Sequence, residues 1–398
     1  MRIALTIALA SALLIAVPGM ALSQDSDVLF LHGLGSSGDT WAATAARLET
    51  RAAITSARPD LPWNKTFADQ AQELDDQLSW LPANTIVIGH SNGGVVGRAW
   101  NRSHHPIGGI ITVGTPIFGA PLINNLAWYV DYDFQVYLAG REVADAFFED
   151  RFETWQDVLW AIARDISVTD LLATRALPSL LYNILQLDPF LPITYDMEFP
   201  VSSSVNGPGS LNGETNLSRE YSDVPHRVAI ASIAHNFYWG GPIRAAFPAY
   251  GDRFAALRDI GVAAMRAGAI RIDLDSDPAD VDATELSSKL RGWARIVEEM
   301  DESWCRAVSA PGQLVCYEND TVVPVWDQLW SDIPAITRVV VRGPAHTQMT
   351  GGNDPNSPSP AIEEIVLDGD RTQSSRPSQT MDDVIYNTLN GVMSVPAR

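Results

Sequence analysis

Cysteine and positive charge are both scarce in this chain, and each shortage narrows what the protein can do. Only two cysteines occur in 398 residues, and no histidine or cysteine spacing suggests a structural zinc site. Lysine and arginine total 27 against 48 aspartates and glutamates, which gives a formal net charge of −21. This excess of negative charge disfavours nucleic acid and anionic membrane surfaces as partners.

Long apolar runs are absent beyond the N-terminus. Residues 1–23 carry Arg2, an apolar run from Ile3 to Val17 and a cleavage-like Ala21-x-Ser23, which is the pattern of a secretory signal peptide. The run is shorter than the roughly 20 residues that span a bilayer, which argues against a membrane anchor. We therefore predict that the mature chain begins near Gln24, has no transmembrane segment and is secreted or periplasmic.

The two cysteines, Cys305 and Cys316, lie close together in the sequence. In a secreted chain such a pair is expected to form a disulfide that holds a loop. The alternative, a reactive thiol, is disfavoured because neither cysteine has an adjacent base in the sequence.

Short apolar segments alternate with helical periodicity, which predicts a parallel α/β sheet. Strands are predicted at residues 28–31, 52–56, 85–88, 110–113, 227–233 and 336–341. A helix is predicted at 66–81, where apolar residues recur at spacings of four and three after the capping residue Thr66. A second helix is predicted at 93–103 and a closing helix at 382–389.

Two insertions interrupt this alternation within one domain that spans residues 24–398. The first, at about 118–224, is rich in Trp, Phe, Leu and Pro, and helical spacing recurs at 152–166. It is interpreted either as a helical subdomain on the core or as a cap whose apolar face lines an acyl pocket. The second, at about 239–310, contains a predicted helix at 286–300.

A serine stands where a buried strand turns into a helix, in Gly89-His90-Ser91-Asn92-Gly93. This is the G-x-S-x-G pattern of a nucleophile elbow, in which small flanking residues let the strand and helix approach closely. A serine hydroxyl is a poor nucleophile unless a base takes its proton. Ser91 therefore implies a histidine and an acid elsewhere in the chain.

Polar residues that follow other predicted strands supply candidates, and their order along the chain is Ser91, Asp320, His346. That is the order of the α/β-hydrolase triad. The chain resembles the secreted lipases and esterases of the α/β-hydrolase superfamily, and the resemblance covers the core strands but neither insertion. It rests on the motifs His32-Gly33-Leu34-Gly35, Gly89-His90-Ser91-Asn92-Gly93-Gly94, Val113-Gly114-Thr115-Pro116 with Gly119-Ala120-Pro121, and Asn319-Asp320-Thr321-Val322-Val323-Pro324.

The resemblance implies an α/β-hydrolase fold: a mostly parallel sheet with flanking helices and a helical cap. It also implies an oxyanion hole formed by the backbone N–H groups of Leu34 and Asn92. The glycines near these residues do not form a phosphate loop, because no Gly-Lys-Ser/Thr follows them. No cofactor and no metal-binding residues are predicted, although loop aspartates leave a bound calcium open.

His346 is the predicted base, since no other histidine follows Asp320 and it comes after the last predicted strand. His235 also follows a strand, but its use would reverse the family's order. His90 lies inside the elbow, and His32 is expected to stabilise the loop that carries Leu34. The remaining histidines are expected on the surface or in turns: His104, His105 and His226.

Asp320 is the predicted acid because its loop resembles the acid-bearing loop of the family. An ordinary Asx turn would also favour Asn-Asp at this position. The long insertion before Asp320 departs from compact family members, in which the acid follows its strand closely. Three alternatives therefore stay open: Asp327, Asp332 and Asp252.

These features predict a secreted serine hydrolase that cleaves carboxylic esters through an acyl-enzyme on Ser91. Its expected substrate is triacylglycerol or a related lipid ester, with transient contact at a lipid interface. One alternative is a phospholipase or an esterase similar to the GPI inositol-deacylases. Another, of a different class, is a noncatalytic lipid-binding protein on the same fold.

Overall fold

The structure is a computed structural model, and it describes only part of the chain. The described residues are 28–52, 55–103, 105–126, 129, 182–183, 185–188, 191–198, 224, 226–234, 248–277, 279–309, 316–329, 336–343, 345–350, 365–367 and 371–373. Several predictions lie outside them: the signal peptide at 1–23, the helical spacing at 152–166 and the closing helix at 382–389. Most of the first insertion also lies outside.

Within the described ranges, six parallel strands form one sheet in the order β2-β1-β3-β4-β5-β6. The strands are β1 (Val28–Leu31), β2 (Ser56–Ala57), β3 (Ile86–His90), β4 (Gly109–Val113), β5 (His226–Ala234) and β6 (Thr337–Gly343). A separate antiparallel pair consists of β7 (Ile365–Leu367) and β8 (Arg371–Gln373). The predicted parallel α/β sheet is confirmed.

Helices follow the strands in the order that a parallel sheet requires. They are α1 (Ala42–Ala52), α2 (Phe67–Leu78), α3 (Asn92–Ser103), α4 (Leu191–Met197), α5 (Pro248–Asp275), α6 (Val281–Ser309) and α7 (Val325–Gln328). Two short 3₁₀ helices occupy Gly38–Trp41 and His346–Gln348. Among these helices, none combines the length and the apolar character needed to cross a bilayer.

Both faces of the sheet are buried, which is why its strands are nearly continuous apolar runs. Successive side chains of a strand point to opposite faces, so Val28 and Phe30 join one buried cluster with Trp41. Leu29 and Leu31 join the other cluster, which also contains the apolar faces of α2 and α3. The central strands are therefore fixed from both sides, and so are the loops at their ends.

The capping of α2 follows the sequence prediction. The Thr66 side chain accepts a hydrogen bond from the backbone N–H of Asp69 at 3.0 Å. The indole of Trp100 donates to Asp75 Oδ1 at 3.1 Å and so links α3 to α2.

Two element predictions need correction. The strand predicted at 52–56 is only Ser56–Ala57, because α1 continues through Ala52 and this edge strand forms just two pairs with β1. The second insertion contains two long helices, α5 and α6, where one shorter helix was predicted. The periodicity of α5 is weak because apolar residues lie on its exposed side as well as its buried side; the exposed ones include Ile260, Ile270 and Leu274.

The elbow glycines give a test of how closely α3 approaches β1. A Cβ on Gly93 would lie 2.6 Å from the carbonyl oxygens of Leu31 and His32, which are backbone atoms that cannot rotate away. We expect Gly93→Ala to lower the free energy of unfolding by about 1–3 kcal/mol, the usual cost of overpacking.

Gly292 in α6 is the matched control, because a Cβ there would meet nothing within 4 Å. Gly292→Ala should stabilise the protein by about 0.5–1 kcal/mol, since alanine loses less conformational entropy in a helix. Urea unfolding of both variants measures the two effects. Equal midpoints would contradict the close approach of α3 to β1.

Candidate active site

The carboxyl edge of the sheet gathers the residues that the sequence analysis selected. Ser91 directly follows β3, His32 follows β1, and His346 comes shortly after β6. The acid loop reaches the same edge because the N–H of Ala234, the last residue of β5, donates to the carbonyl of Asn319 at 3.0 Å. Ligands of open parallel sheets bind at this edge.

Ser91 lies on a strained turn. Its φ is 54°, which a residue other than glycine rarely adopts. Neighbouring backbone groups hold it there: the Ser91 N–H donates to the Val113 carbonyl at 3.0 Å, and the Gly94 N–H donates to the Ser91 carbonyl at 3.1 Å. The turn from β3 into α3 therefore presents the hydroxyl at the edge of the sheet, as the elbow pattern predicts.

Ser91, His346 and Asp320 form one hydrogen-bonded chain. Ser91 Oγ lies 2.9 Å from His346 Nε2, and His346 Nδ1 lies 2.7 Å from Asp320 Oδ2. With a neutral imidazole, the Ser91 hydroxyl donates to Nε2 and the Nδ1–H donates to the carboxylate. The exposed fractions are 6% for Ser91, 6% for His346 and 0% for Asp320, so these bonds are largely shielded from water.

Backbone groups orient the Asp320 carboxylate. Its Oδ1 accepts hydrogen bonds from the N–H of Val322 at 3.0 Å and of Val323 at 2.7 Å, which leaves Oδ2 directed at His346. The N–H of His346 in turn donates to the Asp320 carbonyl at 2.8 Å. The acid and the base therefore contact each other through both side chain and backbone.

Gly114, which follows β4, leaves room for this pair. Its φ is +59°, and a Cβ at this position would lie 2.7 Å from Met349 Sδ, 3.3 Å from Asp320 Oδ2 and 3.4 Å from His346 Nδ1. Gly114 belongs to one of the motifs that carry the family resemblance, but the sequence alone does not indicate its role. Any other residue here would crowd the His346–Asp320 hydrogen bond.

A comparison of sequences agrees with this sheet. Residues 28–205 match the model of the alpha/beta hydrolase family. The described strands and helices form an α/β-hydrolase fold. The predicted superfamily and fold class are thereby confirmed. No curated protein matches the sequence.

Solved structures similar to this α/β-hydrolase include the mature lipase BlEst2 of Bacillus licheniformis. The match has 13% identity, covers 85% of this chain and 91% of that chain, and has a TM-score of 0.36. A pyrethroid hydrolase of Sphingobium faniae matches at 22% identity over 25% of this chain and 45% of its own, with a TM-score of 0.22. Phospholipase PlaB of Legionella pneumophila matches at 20% identity over 24% and 26%, with a TM-score of 0.21.

The two residues predicted to form the oxyanion hole lie beside Ser91. Asn92 directly follows Ser91 and begins α3, where backbone N–H groups lack partners within the helix. Leu34 lies in the loop after β1, and a Cβ on the preceding Gly33 would be only 2.9 Å from Ser91 Cβ. Both backbone segments therefore lie close to Ser91, and their role as donors stays a prediction.

His32 stabilises its own loop, as expected. Its Nε2 accepts a hydrogen bond from the N–H of Leu61 at 2.9 Å, so the proton is on Nδ1, which donates to the Gly33 carbonyl at 3.0 Å. Burial lowers the pKa of His32 and keeps it neutral.

His90 has a role that the sequence did not reveal. Its Nε2–H donates to the His346 carbonyl at 2.9 Å, and the two rings lie 4.8 Å apart. Burial, followed by the proximity of His346, lowers the pKa of His90 to about 3. His90 is thus a neutral donor that holds the backbone of His346.

One of the histidine predictions needs correction: His226 is the first residue of strand β5 and does not lie in a turn. His105 lies in the loop after α3, is half-buried and stacks on Trp100 with ring centroids 4.6 Å apart. His104 and His235 lie outside the described residues.

Of the three alternative acids, Asp327 is the one whose side chain the structure describes, and its described hydrogen bond goes to Phe118 and not to His346. Asp327 is fully buried and its Oδ1 accepts a hydrogen bond from the N–H of Phe118 at 2.7 Å. Burial raises the pKa of Asp327 well above its usual range. Asp252 belongs to α5 and Asp332 lies outside the described residues.

The remaining sequence predictions concern cysteine and metal. The structure joins Cys305 to Cys316 in a disulfide, with their Cα atoms 5.2 Å apart. Among the residues that the structure describes, no group of three or more His, Cys, Asp or Glu side chains is arranged to hold a metal ion.

The low pKa of His90 predicts a loss of stability in acid. Between its unfolded pKa near 6.5 and its folded pKa of about 3, the unfolded chain binds a proton that the folded chain does not. The free energy of unfolding therefore falls as the pH drops through this window. His90→Gln retains an N–H donor for the His346 carbonyl but does not titrate.

From pH 7.5 to pH 4.5, we expect His90→Gln to lose about 2–3 kcal/mol less stability than the wild type. Urea unfolding at the two pH values measures this difference, and His32 titrates in both proteins. Equal losses would show that His90 is not held neutral by the fold.

Proposed function

We propose that this α/β-hydrolase is a serine hydrolase that cleaves carboxylic esters of lipids or lipid-like molecules, acting as a lipase on triacylglycerol or a related ester. The observation that carries the proposal is the continuous chain from Ser91 Oγ through the His346 ring to Asp320 Oδ2, with separations of 2.9 and 2.7 Å. The three side chains act in the order and geometry that acyl transfer needs.

Acylation begins when Ser91 Oγ attacks the ester carbonyl carbon and His346 Nε2 takes the hydroxyl proton. The carbonyl oxygen becomes an oxyanion, which accepts hydrogen bonds from the N–H groups of Leu34 and Asn92. His346 then gives its proton to the departing alcohol as the ester bond breaks. Water, activated by the same histidine, hydrolyses the acyl-enzyme and restores Ser91.

Asp320 stabilises the imidazolium that forms in both halves of the reaction. Its Oδ2 accepts from Nδ1–H and keeps the Nε2 lone pair directed at Ser91 Oγ. Because Asp320 is fully buried, its interaction with the imidazolium is stronger than it would be in water.

The described ends of the first insertion support an apolar substrate. The N–H of Ala120 donates to the Met197 carbonyl at 2.8 Å, which joins α4 to the loop that leaves the site after β4. Large apolar side chains near α4 are exposed, Leu187 by 53% and Tyr195 by 60%. We infer that the first insertion caps the site and provides the acyl pocket.

The disulfide supports a secreted or periplasmic location, because disulfides persist in oxidising compartments. An enzyme in such a location would meet lipid esters at transient contacts with a lipid interface.

Replacing the nucleophile is the first test. We expect Ser91→Ala to lower kcat for p-nitrophenyl acyl esters by at least about 10³-fold, since no other group can form the acyl-enzyme. Ser288→Ala, an exposed change in α6, is the control and should leave the rate unchanged. A fluorophosphonate should label wild-type protein but not Ser91→Ala.

If Ser91→Ala hydrolyses esters as fast as Ser288→Ala, the proposed nucleophile is wrong. Wild-type protein that binds fatty acids yet hydrolyses no ester would instead be a lipid-binding protein. A panel of triacylglycerol, phospholipid and short-chain esters separates a lipase from a phospholipase and from an esterase.

Replacing the acid distinguishes Asp320 from its alternatives. Asp320→Asn keeps the size of the side chain but removes the charge that stabilises the imidazolium, so kcat should fall by about 10²–10⁴-fold. Asp252→Asn, the matched change in α5, should alter kcat less than about twofold. A larger loss for Asp252→Asn would assign the acid to the second insertion.

A further inference from the structure

The last turns of α6 contact the acid loop through two consecutive residues, Trp304 and Cys305. The Trp304 indole N–H donates to the Thr321 carbonyl at 3.0 Å. Cys305 forms the disulfide with Cys316, and its Sγ accepts a hydrogen bond from Asn319 Nδ2 at 3.3 Å. The second insertion therefore ends directly on the loop that carries Asp320.

Thr321 needs this support because its backbone is strained. Its φ is +86°, a value that β-branched residues rarely adopt, and the residue is completely buried. Such a conformation persists only where surrounding contacts enforce it. Thr321 directly follows Asp320, so relaxation of its backbone would change the direction of the carboxylate.

Hydrogen bonds hold Thr321 on both sides. Its N–H donates to Asn319 Oδ1 at 2.8 Å, and its carbonyl accepts from Trp304. Asn319 is itself buried and is fixed by donating to the Tyr317 carbonyl at 2.8 Å. The Asn319 bond is local to the loop, whereas Trp304 is the contact that ties the strained residue to a helix.

The side chain of Trp304 is held in place by burial and by aromatic packing. It is 3% exposed, and its ring packs edge-on against Tyr129 with centroids 5.2 Å apart. The surrounding apolar cluster combines residues of the first insertion with the end of the second: Leu122, Leu126, Leu185, Ala307 and Val308. A side chain packed in this way holds its N–H at a fixed point.

We propose that Trp304 is a positioning residue for Asp320: by fixing the Thr321 carbonyl, it keeps the acid directed at His346. The proposal rests on the proposed function, in which Asp320 is the acid of the triad. Under this proposal the second insertion, through helix α6, contributes to catalysis although α6 carries no triad residue.

Trp304→Phe is the sharpest variant, because it keeps an aromatic ring against Tyr129 and removes only the N–H donor. We expect kcat to fall about tenfold, as one buried hydrogen bond would give, while KM changes less than about twofold.

Trp100→Phe is the matched control. It also removes a buried indole donor, to Asp75 Oδ1 at 3.1 Å, but at a place that does not contact the acid loop. Its kcat and KM should equal those of the wild type. In an Asp320→Asn background, Trp304→Phe should have little further effect, because it acts only through the acid.

Adding Thr321→Gly to Trp304→Phe distinguishes a loss of positioning from a general loss of folding in Trp304→Phe. Glycine adopts a positive φ without strain, so Trp304→Phe/Thr321→Gly should recover most of the lost kcat. If Trp304→Phe matches Trp100→Phe, or if its full effect persists in Asp320→Asn, Trp304 does not position the acid.

A readout that needs no turnover separates this proposal from the proposed function. The proton between His346 Nδ1 and Asp320 Oδ2 should give a downfield ¹H NMR signal that Asp320→Asn removes. We expect Trp304→Phe to shift or broaden this signal and Trp100→Phe to preserve it. Wild-type protein without esterase activity would overturn the proposed function alone, whereas an unchanged signal in Trp304→Phe would overturn the positioning role alone.

Discussion

The close approach of α3 to β1 is the constraint on which the site depends. Gly93 lets the helix lie against the carbonyls of Leu31 and His32, and this contact holds Ser91 in its strained turn. The same approach brings the loop of Gly33 and Leu34 against Ser91. One packing contact therefore places both the Ser91 hydroxyl and this loop, and the strain of Ser91 is balanced by the core on both sides of the sheet.

The acid and the base depend on a second set of contacts, which join distant parts of the chain. His346 is held by the His90 side chain and by the Asp320 oxygens, none of which is its neighbour in sequence. His90 can serve here because burial keeps it neutral. A charged ring 4.8 Å from His346 would oppose formation of the imidazolium, so the neutral donor fixes the base without that repulsion.

Local signals made much of this structure predictable, and contacts over long separations account for the rest. The elbow could be recognised because strand, glycines and helix are contiguous, and Asp320 and His346 followed from order along the chain. The roles of His90, Gly114 and Trp304 could not, since each depends on which distant residue it meets. The α5 helix was missed for a different reason: apolar side chains on several faces hide its period.

Asp320 lies at the end of β5 although the long second insertion separates it from that strand in the sequence. The chain leaves the sheet after β5 and returns beside it, because the Ala234 N–H donates to the Asn319 carbonyl. Asp320 therefore stands at the end of β5, where an acid that followed this strand directly would also stand. The second insertion changes which contacts hold the Asp320 loop. Instead of a short connection from the strand, the loop is held by the disulfide and Trp304 at the end of α6, so the packing of both insertions bears on the orientation of one carboxylate.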